Sequence, residues 1–182
     1  MSPSAILDNA RRPHQLPQPQ APKLTMPDSP QRRTALALVE SFNRMDVPAI
    51  IAPRTPSCLR HFYPTAMAQP PQDTTSYAKS LQSLRTIFRN FSLTLDELIE
   101  DASNPQQPRI CMWLSAKADT AAGEYVNEYV WLLDFDESGE RIVRTKEYSD
   151  NVMARDFFPK LKEAMGRERE RKAAETVQAN GL

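Results

Sequence analysis

Four polar side chains stand in or beside a run of strand-forming residues, where a buried polar group is costly. The segment GEYVNEYVWLLDFDESGERIVRTKEYSD covers residues 123–150. Asn127 and Glu128 lie between two tyrosines at its start, and Glu147 and Asp150 lie near its end. A carboxylate enclosed by apolar side chains has a raised pKa, which suits proton transfer near neutral pH. This segment therefore carries the first candidates for acid–base chemistry.

A second candidate segment is PRTPSCLRHFYP, in which three prolines surround Arg54, Cys58 and His61. A neutral imidazole can act as a base or a donor, and a guanidinium can hold a carboxylate or enolate oxygen. The alternatives are a surface histidine and an arginine in a salt bridge. We do not expect Cys58 to be a nucleophile, because nothing near it in the sequence is arranged to lower the pKa of its thiol.

Composition excludes several classes of function. The 182 residues carry 23 basic and 23 acidic side chains, so the net charge of zero gives no reason to expect a nucleic acid or an anionic membrane as partner. No apolar run approaches the roughly 20 residues that cross a bilayer, and the N-terminus lacks the pattern of a secretory signal. We therefore expect a cytoplasmic protein with free thiols at its two cysteines.

Several catalytic and cofactor motifs are missing from the sequence. The chain has four glycines and contains no Gly-rich phosphate loop, no HExxH or His/Cys cluster and no GxSxG. These absences argue against phosphate-loop, metal and nucleophile-elbow chemistry.

Hydrophobic periodicity predicts helices followed by antiparallel strands. Residues 1–30 hold seven prolines and read as a disordered leader, and residues 166–182 read as a charged tail. Between them we predict helices over 29–46, 46–53, 74–90 and 154–165, an irregular segment over 55–71, strands over 91–101, 109–119, 124–136 and 141–150, and a hairpin turn with Gly139. This order indicates an α+β fold: a cone-shaped barrel in which a curved antiparallel sheet meets three N-terminal helices and one C-terminal helix. The interior of such a cone is a natural small-molecule pocket.

Strand alternation separates the polar candidates onto two faces. Asn127 and Tyr129 share one face of the third strand and Glu128 lies on the other, while Glu147 and Asp150 lie on opposite faces of the fourth. The pattern does not say which face lines the pocket, and a bulge would change the phase.

Three stretches carry a family resemblance: ALALVESFNRMDVPAIIAPRTPSCLRHFYP, SYAKSLQSLRTIFRNFSLTLDELIED and the segment over 123–150. Together they resemble the fungal SnoaL-like proteins of the nuclear transport factor 2-like superfamily, over residues 31–165. Fungal members of this kind act as cyclases or isomerases of polyketide or meroterpenoid intermediates. The resemblance implies the cone fold, acid–base chemistry without a metal or organic cofactor, a hydrophobic small-molecule substrate, and a homodimer formed through the outer face of the sheet.

The resemblance also suggests roles for the polar residues. A cyclase or isomerase of an enolisable ketone needs a base beside the carbonyl and a donor for the enolate oxygen. Asp150 is the first candidate base and Glu147 the second, with Arg54 and His61 holding oxygen. The expected substrate-binding residues are Tyr125, Asn127 and Tyr129.

Alternative interpretations remain open on the sequence. Glu147 could pair with Arg144 or Lys146 on an exposed sheet, and the tyrosines together with Trp131 could be core or interface residues. The superfamily also holds dehydratases, steroid isomerases and noncatalytic members, so a dehydratase and a small-molecule-binding or dimerisation module are the competing functions. The presence of one histidine in the predicted domain, His61, argues against a dehydratase that uses a histidine pair.

Overall fold

The computed structural model describes residues 28–101 and 103–180, with side chains described as far as residue 176. Residues 1–27 of the predicted leader therefore lie outside the described residues. Within the described part of the chain, no helix is both long enough and apolar enough to cross a lipid bilayer.

Among the described residues, four α-helices form where the periodicity predicts them, and the last one extends beyond its predicted bounds. They are α1 (Pro30–Asn43), α2 (Val47–Ile51), α3 (Thr74–Ile87) and α4 (Asn151–Asn180). The Ser29 hydroxyl accepts the amide hydrogen of Arg32 at 3.1 Å and so caps α1, as its position before Pro30 predicts. Asp73 caps α3 in the same way. The last helix continues through the predicted tail to residue 180.

Six strands in the described part of the chain form one curved, open sheet in the order β2-β1-β6-β5-β4-β3. They are β1 (Arg54–Tyr63), β2 (Gln72–Asp73), β3 (Arg89–Asp101), β4 (Arg109–Thr120), β5 (Gly123–Phe135) and β6 (Ile142–Ser149). The strands β3 to β6 form the predicted antiparallel meander. The predicted fold class is confirmed.

One segment differs from the prediction. Residues 55–71, predicted to be irregular, contain most of β1, which pairs in parallel with β6 and makes the sheet mixed rather than purely antiparallel. Pro56 lies where the β1–β6 register shifts, between Arg54 and Leu59, and Pro64 follows the last residue of the strand. Prolines at a bulge and just beyond a strand end remove no ladder hydrogen bond, so their density misled the prediction.

The concave face of the sheet packs against α1 and α3 and forms the core. Buried side chains from this face and from the helices include Leu38, Phe42, Leu81, Ile110, Met112, Leu114, Tyr125, Leu133 and Phe135. The Asn43 side chain fastens α1 to β3 by accepting the amide hydrogen of Leu93 at 2.6 Å and donating to its carbonyl at 3.0 Å. The structure also settles which strand face is internal: Asn127 and Glu147 are buried, and Glu128 and Asp150 are exposed.

Candidate active site

Two adjoining cavities open on the concave face of the sheet. They have volumes of about 60 Å³ and about 170 Å³. Five residues line both cavities: Arg60, Leu84, Phe88, Tyr129 and Glu147. The smaller cavity is otherwise mainly apolar, and the larger one leads past Phe62 and Phe158 toward the start of α4. A small polar group in a mostly apolar enclosure is the usual composition of a ligand site.

A buried ion pair forms part of the wall that the cavities share. Arg60 on β1 donates from Nη2 to both carboxylate oxygens of Glu147 on β6 at 2.7 Å, and from Nε to Oε2 at 3.1 Å. The side chains are 15% and 6% exposed respectively, so little solvent screens the pair. The parallel pairing of β1 and β6 puts Glu147 in register with Phe62, two residues from Arg60 on the same strand face, so the Arg60 side chain reaches the carboxylate. This geometry holds the carboxylate in one orientation at the cavity wall.

Tyr77 of α3 lies between two guanidinium groups. The Arg60 guanidinium carbon is 4.4 Å from the ring centroid and that of Arg54 is 4.9 Å away. Burial opposes the charged form of Arg60, but the attraction of Glu147 and Tyr77 outweighs it and raises the pKa of Arg60. Burial lowers the pKa of Arg54, because no carboxylate among the described residues lies within ion-pair distance of it. The cluster therefore holds two cations and one anion.

Three side chains on β5 form a second polar cluster. The hydroxyl oxygens of Tyr125 and Tyr129 are 2.5 Å apart, and the amide nitrogen of Asn127 lies 3.0 Å from the first and 3.3 Å from the second. Burial raises the pKa of both tyrosines, that of Tyr129 well above its usual value. Both hydroxyls therefore stay protonated at neutral pH and can serve as hydrogen-bond donors.

The two clusters together offer the groups that proton transfer beside a carbonyl requires. Glu147 and Tyr129 line both cavities, so a ligand there would meet a carboxylate and a phenolic hydroxyl. A carboxylate can accept a proton from carbon, and a hydroxyl can donate to an oxygen on which negative charge develops.

The structure places the residues predicted from the sequence in three groups. Four lie on the cavity wall: Glu147, Tyr125, Asn127 and Tyr129. Glu147 is paired with Arg60 rather than with Arg144 or Lys146 on an exposed face. Arg54 is buried behind Tyr77, donates to the Ile50 carbonyl oxygen at 2.7 Å and lines neither cavity.

His61 and Asp150 do not reach the cavities. His61 is next to Arg60 on β1 and in register with Lys146, so strand alternation directs it to the convex face. Asp150 is exposed, and its Oδ1 accepts the amide hydrogens of Val152 at 2.9 Å and Met153 at 3.1 Å. It therefore caps α4.

Sequence reasoning missed three wall residues, namely Arg60, Tyr77 and Trp131. Reading residues 55–71 as irregular hid Arg60, whereas a strand there would have placed it on the same face as Cys58 and Phe62. Tyr77 is buried with Leu81 on one face of α3, where an aromatic residue at helical spacing reads as core. The indole N–H of Trp131 is buried without an acceptor in the described part of the chain, a feature that depends on tertiary packing.

The fold and the site define a class of protein, an α+β cone that encloses a small apolar cavity with buried acid–base groups. No protein-family model matches the chain. It is 26% identical over 132 residues to the austinoid biosynthesis clusters protein H of Penicillium brasilianum, covering 72% of this chain and 89% of that protein. It is 30% identical over 104 residues to the monooxygenase nsrQ of Aspergillus novofumigatus, covering 57% of this chain and 67% of the relative.

Two solved structures share the fold of this chain. The crystal structure of the BvnE pinacolase of Penicillium brevicompactum superimposes with a TM-score of 0.68 at 22% identity, over 75% of this chain and 96% of that one. A candidate SnoaL-like polyketide cyclase of Shewanella denitrificans superimposes with a TM-score of 0.55 at 12% identity, over 69% and 94%. The chain belongs to the fungal SnoaL-like proteins of the nuclear transport factor 2-like superfamily.

Proposed function

We propose that the protein is an acid–base cyclase or isomerase that needs no cofactor and acts on a hydrophobic, oxygen-bearing intermediate of fungal secondary metabolism. The observation that carries this proposal is the buried Arg60–Glu147 pair on an apolar cavity that also exposes a tyrosine hydroxyl pair. The names of the relatives support a place in secondary-metabolite biosynthesis.

In the proposed reaction Glu147 accepts a proton from the carbon next to a ketone. Arg60 holds the carboxylate in one orientation, and the Tyr125–Tyr129 pair donates a hydrogen bond to the enolate oxygen that forms. Protonated Glu147 then returns the proton to a different carbon. Alternatively, the enolate carbon attacks a second carbonyl carbon of the same molecule, the C=O π bond there breaks, and protonated Glu147 gives its proton to the alkoxide oxygen that forms. The first outcome is isomerisation and the second is cyclisation, and neither changes the composition of the substrate.

Relatives on this fold have names that describe different reactions, among them pinacolase and monooxygenase. The groups on the cavity wall of this chain supply proton transfer and oxygen binding. Isomerisation and cyclisation need only these two functions, which is why they are proposed here.

The test uses a deletion strain of the producing organism and the purified protein. An extract of the deletion strain is incubated with wild-type protein, Glu147→Gln or Glu128→Gln, below the unfolding temperature of each, and analysed by mass spectrometry. Glu128 is the matched control because it lies on the same sheet but is exposed. We expect the wild type and Glu128→Gln to convert one compound into another of the same mass, and Glu147→Gln to be slower by at least roughly 100-fold.

Other results would contradict the proposal in recognisable ways. Full activity of Glu147→Gln would exclude Glu147 as the proton acceptor. Loss of activity in Asp150→Asn instead would support Asp150 as the base, as the sequence predicts. A precursor heavier than the product by one water would indicate a dehydratase. Retention of an unchanged compound by the wild type would indicate a binding module.

We further propose a homodimer formed through the convex face of the sheet. Tyr63, Tyr148, Val130 and Trp113 lie side by side across β1, β6, β5 and β4. Tyr148 is 50% exposed and Trp113 is 42% exposed, so this row is an uncovered apolar stripe.

Charge on either side of the stripe favours a second copy of the chain. Acidic residues flank one side, namely Asp96, Glu128 and Asp150. Basic residues flank the other side, namely Arg109, Arg144 and Lys146, and the two arginines share the buried carboxylate of Asp134, so this side keeps a net positive charge. A two-fold axis through the stripe would place each acidic flank against the basic flank of the partner. Sedimentation velocity should show a dimer that Trp113→Arg dissociates, and a wild type that stays monomeric at roughly 100 μM would refute the proposed dimer.

A further inference from the structure

Asn127 uses every hydrogen-bonding position of its side chain. Its Oδ1 accepts the backbone amide hydrogens of Glu128 at 2.8 Å and Asp150 at 3.2 Å. Its Nδ2 donates to the hydroxyl oxygens of Tyr125 and Tyr129. A primary amide has two donor hydrogens and an oxygen with two lone pairs, so nothing remains for a ligand.

The orientation of the Asn127 amide follows from the two backbone donors. If the amide were turned over, its NH₂ group would face the N–H groups of Glu128 and Asp150, which are themselves donors. The Asp150 N–H also donates to the Glu128 carbonyl oxygen at 3.1 Å, but the Glu128 N–H would lose its bond to Asn127 Oδ1. Asn127 is 4% exposed, so such a donor–donor contact would be costly. The NH₂ group must therefore point at the two tyrosines.

Counting protons then determines what the tyrosine pair presents to the cavity. One hydroxyl donates to the other across the 2.5 Å contact. The receiving oxygen accepts from its partner and from Asn127, so both its lone pairs are occupied. Its own proton has no acceptor among the described residues and is directed away from Asn127.

We infer that Asn127 is a positioning residue, which together with the hydroxyl–hydroxyl bond leaves one proton of the Tyr125–Tyr129 pair free to donate into the cavity, and that the ligand presents a carbonyl or enolate oxygen at this point. This inference deepens the proposed function and rests on the same site. It also changes the role expected for Asn127 from the sequence, because the residue acts through the tyrosines and does not contact the ligand itself.

The proposal is tested by binding acetophenone and ethylbenzene, which have nearly the same shape and differ in the carbonyl group. Affinities for both probes and the infrared carbonyl stretch of bound acetophenone are measured for wild type, Asn127→Asp and Asn104→Asp. In Asn127→Asp the second carboxylate oxygen can only accept, so the tyrosine protons turn toward it. The backbone N–H groups and the hydroxyls favour the ionised form of that carboxyl group.

We expect the ratio of acetophenone to ethylbenzene affinity to fall by at least roughly five-fold in Asn127→Asp, which corresponds to one hydrogen bond. The carbonyl stretch should lie below its value in hydrocarbon solvent for the wild type, and should return toward that value in the variant. Asn104→Asp makes the same chemical change in the exposed β3–β4 loop, so its affinity ratio and carbonyl stretch should match the wild type.

An unchanged ratio and stretch in folded Asn127→Asp would overturn the inference. If that variant does not fold, the double variant Tyr125→Phe/Tyr129→Phe, with Asn127 intact, must lose the low carbonyl stretch, and its retention would also overturn the inference. Neutron diffraction of deuterium-exchanged crystals decides the point without a probe: one tyrosine deuteron must point into the cavity. These measurements do not depend on turnover. The inference about Asn127 can therefore fail while Glu147→Gln still slows conversion, and it can hold while Glu147→Gln has no effect on conversion.

Discussion

Replacing Glu147 by glutamine should destabilise the protein substantially, because it leaves buried positive charge without a counter-ion. Glu147 is 5% exposed. In the described part of the chain, its carboxylate is the only one that contacts Arg60. Breaking a buried pair by removing one partner costs about 3–5 kcal/mol. The amide oxygen of the introduced glutamine could still accept one hydrogen bond from Arg60, whose side chain is 15% exposed, so we expect about 3 kcal/mol, at the lower end of that range.

Urea unfolding followed by circular dichroism measures this cost as a lower midpoint at an unchanged slope. For a chain of this size, about 3 kcal/mol corresponds to a fall in melting temperature of roughly 6–12 °C. Glu128→Gln is the control and should change the free energy of unfolding by less than about 0.5 kcal/mol, because Glu128 is exposed. The double variant Arg60→Met/Glu147→Leu removes both charges, so it should be more stable than Glu147→Gln alone.

Two results would refute this reasoning. A cost below about 1 kcal/mol for Glu147→Gln would mean that water screens the pair as it screens surface pairs, and the cavity wall would not be the enclosed site described above. A double variant less stable than Glu147→Gln would mean that the ion pair itself, rather than the unpaired charge, dominates the energy.

Three further predictions concern the cap, two glycines and the buried tyrosines. Asp150→Ala should cost about 1 kcal/mol in thermal unfolding while Asp150→Asn costs almost nothing, since asparagine also caps helices; equal losses would contradict the capping role. Gly139→Ala should destabilise by about 1–2 kcal/mol, because φ is +71° and a Cβ would lie 2.6 Å from Gln31 Oε1. At Gly166 in α4 a Cβ would meet open space, so Gly166→Ala should stabilise by about 0.5–1 kcal/mol. Changes of the same sign in the unfolding free energies of Gly139→Ala and Gly166→Ala would contradict this reasoning. Because burial raises the pKa of the three internal tyrosines, the folded state holds their protons longer than the unfolded chain does, so stability should be complete below about pH 10 and fall above it. Ultraviolet absorbance of the phenolate should show them ionising together with unfolding, and ionisation of all five tyrosines in the folded protein would contradict this.

Local signals in the sequence predicted most of the fold. Ser29 before Pro30 specifies the start of α1, and the two-residue period from residue 91 onward specifies β3 to β6. These features depend on a few neighbouring residues, which is why they can be read without the structure. β1 could not be read in this way, because the residues of β6 that pair with it, such as Arg144 opposite Leu59, lie about 85 positions further along the chain. A local pattern does not encode a contact at that separation.

About half of the candidate site could also be predicted from local patterns in the sequence. Glu147, Tyr125, Asn127 and Tyr129 stand out as polar groups in strand-forming runs, and the structure places all four on the cavity wall. Asp150 carries an equally conspicuous carboxylate, but its use as a helix cap depends on where α4 begins. Arg60 was missed because residues 55–71 were read as irregular, so no strand face was assigned to them.

The sequence by itself determined the order of the helices and of strands β3 to β6, the family, and the alternation that puts Glu147 and Asp150 on opposite faces. Only the tertiary structure decided which face is internal, that Glu147 pairs with Arg60, and that Asn127 serves the tyrosines. The physical reason is that periodicity is a property of neighbouring residues, whereas burial and hydrogen-bond partners depend on the strands and helices that pack together.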